Sequence, residues 1–121
     1  MGDYLPIREA FPVQEEVDGY TPDPDVGYES LIASTGVEVL LNKRVGSYQG
    51  DLYFILRTDG GLYGLLTTGY GSCSGCDSLE AIRLSWNYRD TEEASYQKLD
   101  SFRNELFQRI HWEPTATGLL A

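Results

Sequence analysis

Two apolar runs separated by a glycine turn constrain this chain most. Leu52-Tyr53-Phe54-Ile55-Leu56-Arg57 is continuously apolar and aromatic up to its arginine, and Leu62-Tyr63-Gly64-Leu65-Leu66-Thr67-Thr68-Gly69-Tyr70 follows after a short break. Each run is too short for a typical helix and rich in strand-favouring residues. The break contains Thr58-Asp59-Gly60-Gly61. Glycine accepts positive φ without steric cost, so this stretch reads as a hairpin turn. The unbroken first run predicts a central strand covered on both faces. Upstream, Val37-Glu38-Val39-Leu40-Leu41 and the alternating Arg44–Gln49 stretch add strand signals, giving three to four antiparallel strands.

Helical periodicity replaces the strand pattern downstream. Asp77 or Ser78 can cap a short helix that places Leu79, Ile82 and Trp86 on one face. Asp90, three residues before Glu93, has the spacing of a capping box. A longer helix then carries Leu99, Phe102, Leu106 and Ile110 as an apolar stripe, with Glu92, Lys98, Arg103, Gln108 and Arg109 assigned to the polar face. Glu113-Pro114 stops it. Strands followed by helices define an α+β fold: an antiparallel sheet of three to four strands, then a short and a long helix packed on one face.

The ends of the chain read differently. Residues 1–33 form an acidic arm with Pro6, Pro12, Pro22 and Pro24, which disfavour a long helix or a central strand. The arm also contains Tyr4, Phe11, Val13, Leu31 and Ile32, so an extended segment lying along the domain or along a partner is expected. A short helix fits Tyr28–Ser34. Residues 34–114 form the globular domain, and residues 115–121 a frayed tail. The 121 residues allow one domain, and 41% apolar composition with nine Tyr, four Phe and two Trp supplies a core. No apolar run approaches the length of a membrane span, and the first residues lack the pattern of a signal peptide. A cytoplasmic protein without a membrane role is expected.

Net charge is −10, and it is concentrated. Residues 1–30 hold eight carboxylates and one arginine. Direct binding to nucleic acid is disfavoured, because neutralising phosphates requires clustered Lys and Arg. Steering toward a basic protein surface is favoured instead. Within the arm, Glu15, Glu16, Asp18, Tyr20, Asp23, Asp25 and Tyr28 combine that charge with aromatic contact area and are the candidate partner-binding residues.

The Gly69–Asp77 stretch, Gly-Tyr-Gly-Ser-Cys-Ser-Gly-Cys-Asp, holds both cysteines of the chain. Cys73 and Cys76 before a helix N-terminus have the placement of a redox dithiol, since helix amides stabilise a thiolate. The parallel βαβ surroundings of such motifs are missing. A zinc site would draw on Cys73, Cys76, Asp77 and His111, or on four cysteines shared across a dimer. The glycines and serines could also cradle an anion, although no lysine or P-loop spacing accompanies them. The plainer reading is a glycine-rich joint between a strand and a helix. His111, beside Trp112, fits a structural role at a helix C-terminus. With one histidine and no nucleophile elbow, no catalytic set emerges, and a non-enzymatic protein is expected.

The segments Ser47–Arg57 and Leu62–Ala81 together resemble a group of small, uncharacterised proteins of tailed bacteriophages that infect actinobacteria and related hosts. The shared features are a Tyr-x-Gly-Asp strand, here Tyr48–Asp51, and the Gly69–Asp77 segment with a helix after it. The resemblance implies a viral origin and no particular activity. The expectation is a small acidic phage-type protein that binds a host protein with a basic surface, as an inhibitor in host takeover or anti-defence, with no cofactor. The alternative is a thiol-redox or zinc protein centred on Cys73 and Cys76. Homo-oligomerisation is compatible with either.

Overall fold

The structure is a computed structural model that describes residues 4–15, 24–47, 49–71, 77–88 and 91–120. Nine elements follow in order: α1 (Ile7–Ala10), α2 (Tyr28–Ala33), β1 (Glu38–Gly46), β2 (Gly50–Arg57), β3 (Tyr63–Tyr70), α3 (Ser78–Tyr88), α4 (Glu92–Gln108), β4 (His111–Glu113) and α5 (Ala116–Leu120). The four strands form one antiparallel sheet in the order β1-β2-β3-β4. The fold is α+β, with the short α3 and the long α4 following the three-stranded meander.

The hairpin forms at the glycine turn. Arg57 pairs with Tyr63. The Thr58 amide donates to the Leu62 carbonyl at 2.9 Å, and Gly61 takes φ of 85°. The two upstream strand signals are one strand rather than two. β1 runs without a break from Glu38 to Gly46, with Leu40 as an extra residue between the pairs Val39–Leu56 and Leu41–Ile55. The fourth strand comes from elsewhere. α4 ends at Gln108, and His111–Glu113 turn back to pair with β3. His111 is therefore a strand residue and not a helix cap. Gly64 makes this closure possible. A Cβ there would lie 2.6 Å from Ile110 Cγ2 and 2.9 Å from the Trp112 ring.

One sheet face carries the core. Leu52, Phe54 and Leu56 of β2 and Leu66 of β3 are buried against Leu31 and Ile32 of α2, Leu79 and Trp86 of α3, and Leu99, Phe102 and Leu106 of α4. The other face is open. Leu41 is 50% exposed and Val45 48%, while Tyr53 and Ile55 are half-buried. A sheet covered on both faces, as the unbroken apolar run suggested, is thus not what forms. α3 starts at its expected cap, with the Glu80 amide donating to Asp77 Oδ1 at 3.1 Å. α4 is capped by Thr91, whose hydroxyl accepts from the Ala94 amide at 3.1 Å.

Parts of residues 1–33 belong to this core. Phe11, Val26, Leu31 and Ile32 are buried in it. Two side chains of α4 fasten the chain there. The Tyr96 hydroxyl donates to the Phe11 carbonyl at 2.6 Å. Arg103, only 1% exposed, is the larger fastener. Its Nη1 donates to the Leu5 carbonyl at 2.6 Å and to Ser34 Oγ at 3.1 Å, and its Nη2 to Asp100 Oδ1 at 2.9 Å. The Tyr4 ring covers the guanidinium, 4.2 Å from its carbon. Arg103 is therefore not on the polar face of α4, where its residue type suggested. The last residues also pack, since α5 lies against β3 and β4.

A buried guanidinium is stable only while its partners are in place, and removing one side of such a set costs about 3–5 kcal/mol. Arg103→Ala should lower the unfolding free energy by about 3 kcal/mol or more in a urea titration. Asp100→Asn should cost clearly less, because Asp100 is 44% exposed and the asparagine oxygen can still accept from Nη2. Equal losses from the two variants would contradict the assignment.

Candidate functional site

A cleft of about 680 Å³ opens on the inner side of the sheet, where the helices leave the free end of β1 uncovered. Strand alternation builds its floor. Asn42 faces the same way as its partner Phe54, and Arg44 the same way as Leu52. Tyr70, at the end of β3, completes the floor. Tyr28, Glu29 and Ser30 of α2 form one wall, and Leu79, Glu80 and Arg83 of α3 the other.

Asp77 ties these walls together. It is buried, and its carboxylate accepts from three donors: the Tyr28 hydroxyl, the Glu80 amide, and the Gly71 amide at 3.0 Å. Every polar atom in that set gains a partner, as burial requires. Burial first, and then the bond to Asp77, raise the Tyr28 hydroxyl well above its ordinary value near 10. The Tyr28 ring also meets Phe102 edge-on, with centroids 6.0 Å apart. Tyr28 is thus a structural link between α2 and the start of α3.

Arg44 is held differently. Its guanidinium lies over the Tyr70 ring, 4.5 Å from the centroid. Tyr70 is itself buried, and its hydroxyl donates to the Ser47 carbonyl at 3.3 Å. Arg44 makes no hydrogen bond or ion pair to another described residue. Nearby, the Asn42 amide donates to Glu29 Oε1 at 3.5 Å, and Arg83 stands 3.9 Å from Glu80. A second groove of about 650 Å³ runs between α3 and α4 past Ile82 and Phe102.

Glu15 and Asp25 are exposed. Glu16, Asp18, Tyr20, Asp23, Cys73 and Cys76 lie outside the described residues. Asp77 and His111 are not brought together. Asp77 is buried beside the inner cleft, whereas His111 pairs with Leu65 on the open face, with its side chain 65% exposed and its Nε2 2.8 Å from Glu113 Oε1. Among the described residues, no three His, Cys, Asp or Glu side chains cluster as metal ligands would. No described helix is long and apolar enough to cross a membrane.

Sequence reasoning passed over Asn42 and Arg44. The available signal was two polar residues at i and i+2 on the inward side of a strand, which marks a part of the sheet that no helix covers.

Comparison with protein-family models, with curated proteins and with solved structures finds no match to this chain.

The raised Tyr28 value sets a pH dependence. In the unfolded chain this hydroxyl ionises near 10, whereas the folded chain keeps it neutral. Its contribution to stability is therefore full below about pH 10 and falls as pH rises above that. At about pH 11 the folded chain and Tyr28→Phe should show equal tyrosinate absorbance, since Tyr28 is ionised in neither. A deficit of one tyrosinate in the variant would show that Tyr28 titrates normally.

Proposed function

We propose that this chain is a small acidic phage-type binding protein, acting by non-catalytic contact with a host protein of basic surface, as an inhibitor in host takeover or anti-defence. The observation that carries this reading is the open face of the sheet. Leu41, Ile55 and Leu65 stand side by side across β1, β2 and β3 on that face, because paired residues of a sheet share a side. Val45, Tyr53 and Tyr63 lie on the same face by the same alternation. An apolar and aromatic row left open to solvent supplies contact area for a partner protein.

Charge supplies the choice of partner. Asp51 and Glu113 alternate onto this face beside Lys43, and Glu38 and Arg57 cancel one another at 2.6 Å, so the attraction comes from the charge of the whole chain. With a net charge of −10, the chain attracts basic surfaces at long range. The resemblance to phage proteins supports a viral setting and a host partner. Phe11, Val26, Leu31 and Ile32 of the arm are buried in the core, so the sheet adds a contact surface to that of the arm, where Glu15 and Asp25 are exposed.

A panel of purified basic host proteins provides the test, read by surface-immobilised binding. The chain should bind at least one member, and Leu41→Asp, with an unchanged circular dichroism spectrum, should weaken that binding by about tenfold or more. Association should slow as salt rises above about 0.15 M. Binding that Leu41→Asp leaves intact, or no binding to any member, would reject this reading.

A further inference from the structure

The inner cleft has chemistry of its own, which the open sheet face does not use. We infer that it is a binding site for a small ligand bearing one carboxylate on an apolar or aromatic body. A guanidinium held over an aromatic ring can keep its edge donors open as a fork, and such a fork matches a carboxylate in a bidentate pair. Arg44 on Tyr70 has this arrangement, and no described residue occupies the fork. Tyr70 cannot swing away, being buried and bonded to Ser47. The site is therefore set before any ligand arrives, which lowers the entropic cost of binding.

The rest of the cleft fixes the class of ligand. At about 680 Å³ it falls within the usual range of roughly 300–1,000 Å³ for small-molecule pockets. Leu52, Phe54 and Leu79 give it an apolar lining. Glu29 on one wall repels a second negative charge, while Glu80 on the other is offset by Arg83 at 3.9 Å. A ligand with several charges, such as a nucleotide, is thereby disfavoured against a monocarboxylate. The Asn42 amide, at a long 3.5 Å from Glu29, adds a donor two residues from Arg44 on the same strand face.

N-acetyl-phenylalanine and N-acetyl-leucine are the probes, titrated against the full chain by heteronuclear NMR, with N-acetyl-phenylalanine amide as the uncharged control. At least one of the two acids should bind saturably and shift the Asn42, Arg44 and Gly71 amides. Its amide should bind about tenfold or more weakly, since it cannot accept the fork. Arg44→Gln should cause a similar loss while preserving the remaining amide spectrum, and Arg44→Lys should fall between, keeping charge but not geometry. Adenosine monophosphate should not compete. The inference is overturned if neither acid binds, if amide and acid bind alike, if Arg44→Gln binds as the parent does, or if the nucleotide competes. The cleft and the open face lie on opposite sides of the sheet, so either assignment can fail without the other.

Discussion

The fold depends on a cation placed where cations are costly. Arg103 takes its guanidinium out of water and makes up for it with the Leu5 carbonyl, Ser34 Oγ and Asp100. Ser34 is not a passive acceptor, because its hydroxyl donates onward to the Leu31 carbonyl at 2.6 Å. One side chain of α4 thus fixes the N-terminal segment, the end of α2 and its own helix together. The arrangement is specific because each partner stays satisfied only in this geometry; Arg103 Nε has no partner among the described residues. An apolar residue would fill the space but would leave the Leu5 carbonyl without a donor. A neighbouring clasp repeats the logic. Arg8 of α1 pairs with Glu92 at 2.9 Å and lies over the Tyr96 ring, whose hydroxyl holds Phe11.

Both proposed binding surfaces follow from which face of the sheet the helices take. α2, α3 and α4 cover the inner face except near the free end of β1, and that gap is the cleft. The outer face keeps its apolar row. Asp77 stands at the boundary, ending the strand region through Gly71 and starting α3 through Glu80. It also fastens Tyr28, which closes one wall of the cleft. The cleft is therefore built from the same contacts that join α2 to α3.

Periodicity made part of this legible in the sequence. The β2–β3 hairpin has two strong apolar runs and a glycine turn, and the start of α3 has an aspartate cap. The burial of Arg103 was also present in the spacing. Tyr96, Leu99, Arg103, Leu106 and Ile110 step by three and four, the interval of a buried helical stripe. Residue type overrode spacing, because an arginine is normally solvated, and only distant Leu5 and Ser34 explain the exception. β4 has three residues, too few to show any period, and its pairing depends on Gly64 leaving room for Trp112. β1 looked like two strands because Asn42 and Lys43 interrupt its apolar pattern. One faces the cleft and the other the open side, so neither is driven inward. The site residues were less legible, since Arg44 and Asp77 acquire their roles from partners 26 and 49 residues away, in Tyr70 and Tyr28 respectively.

The central claim is that the described residues Leu5–Phe11 of the N-terminal segment are fastened to the folded core. Amide hydrogen exchange on the full chain tests it most directly. The Leu5 amide donates to the Ser34 carbonyl at 3.0 Å, and the Phe11 amide to the Ile7 carbonyl at 3.0 Å. If Arg103 and Tyr96 hold this segment in place, both amides should be strongly protected and should open together with the α4 amides around Leu99 and Phe102, as one cooperative unit. Exchange of both amides at the rate of an unstructured chain, while α4 stays protected, would contradict the account.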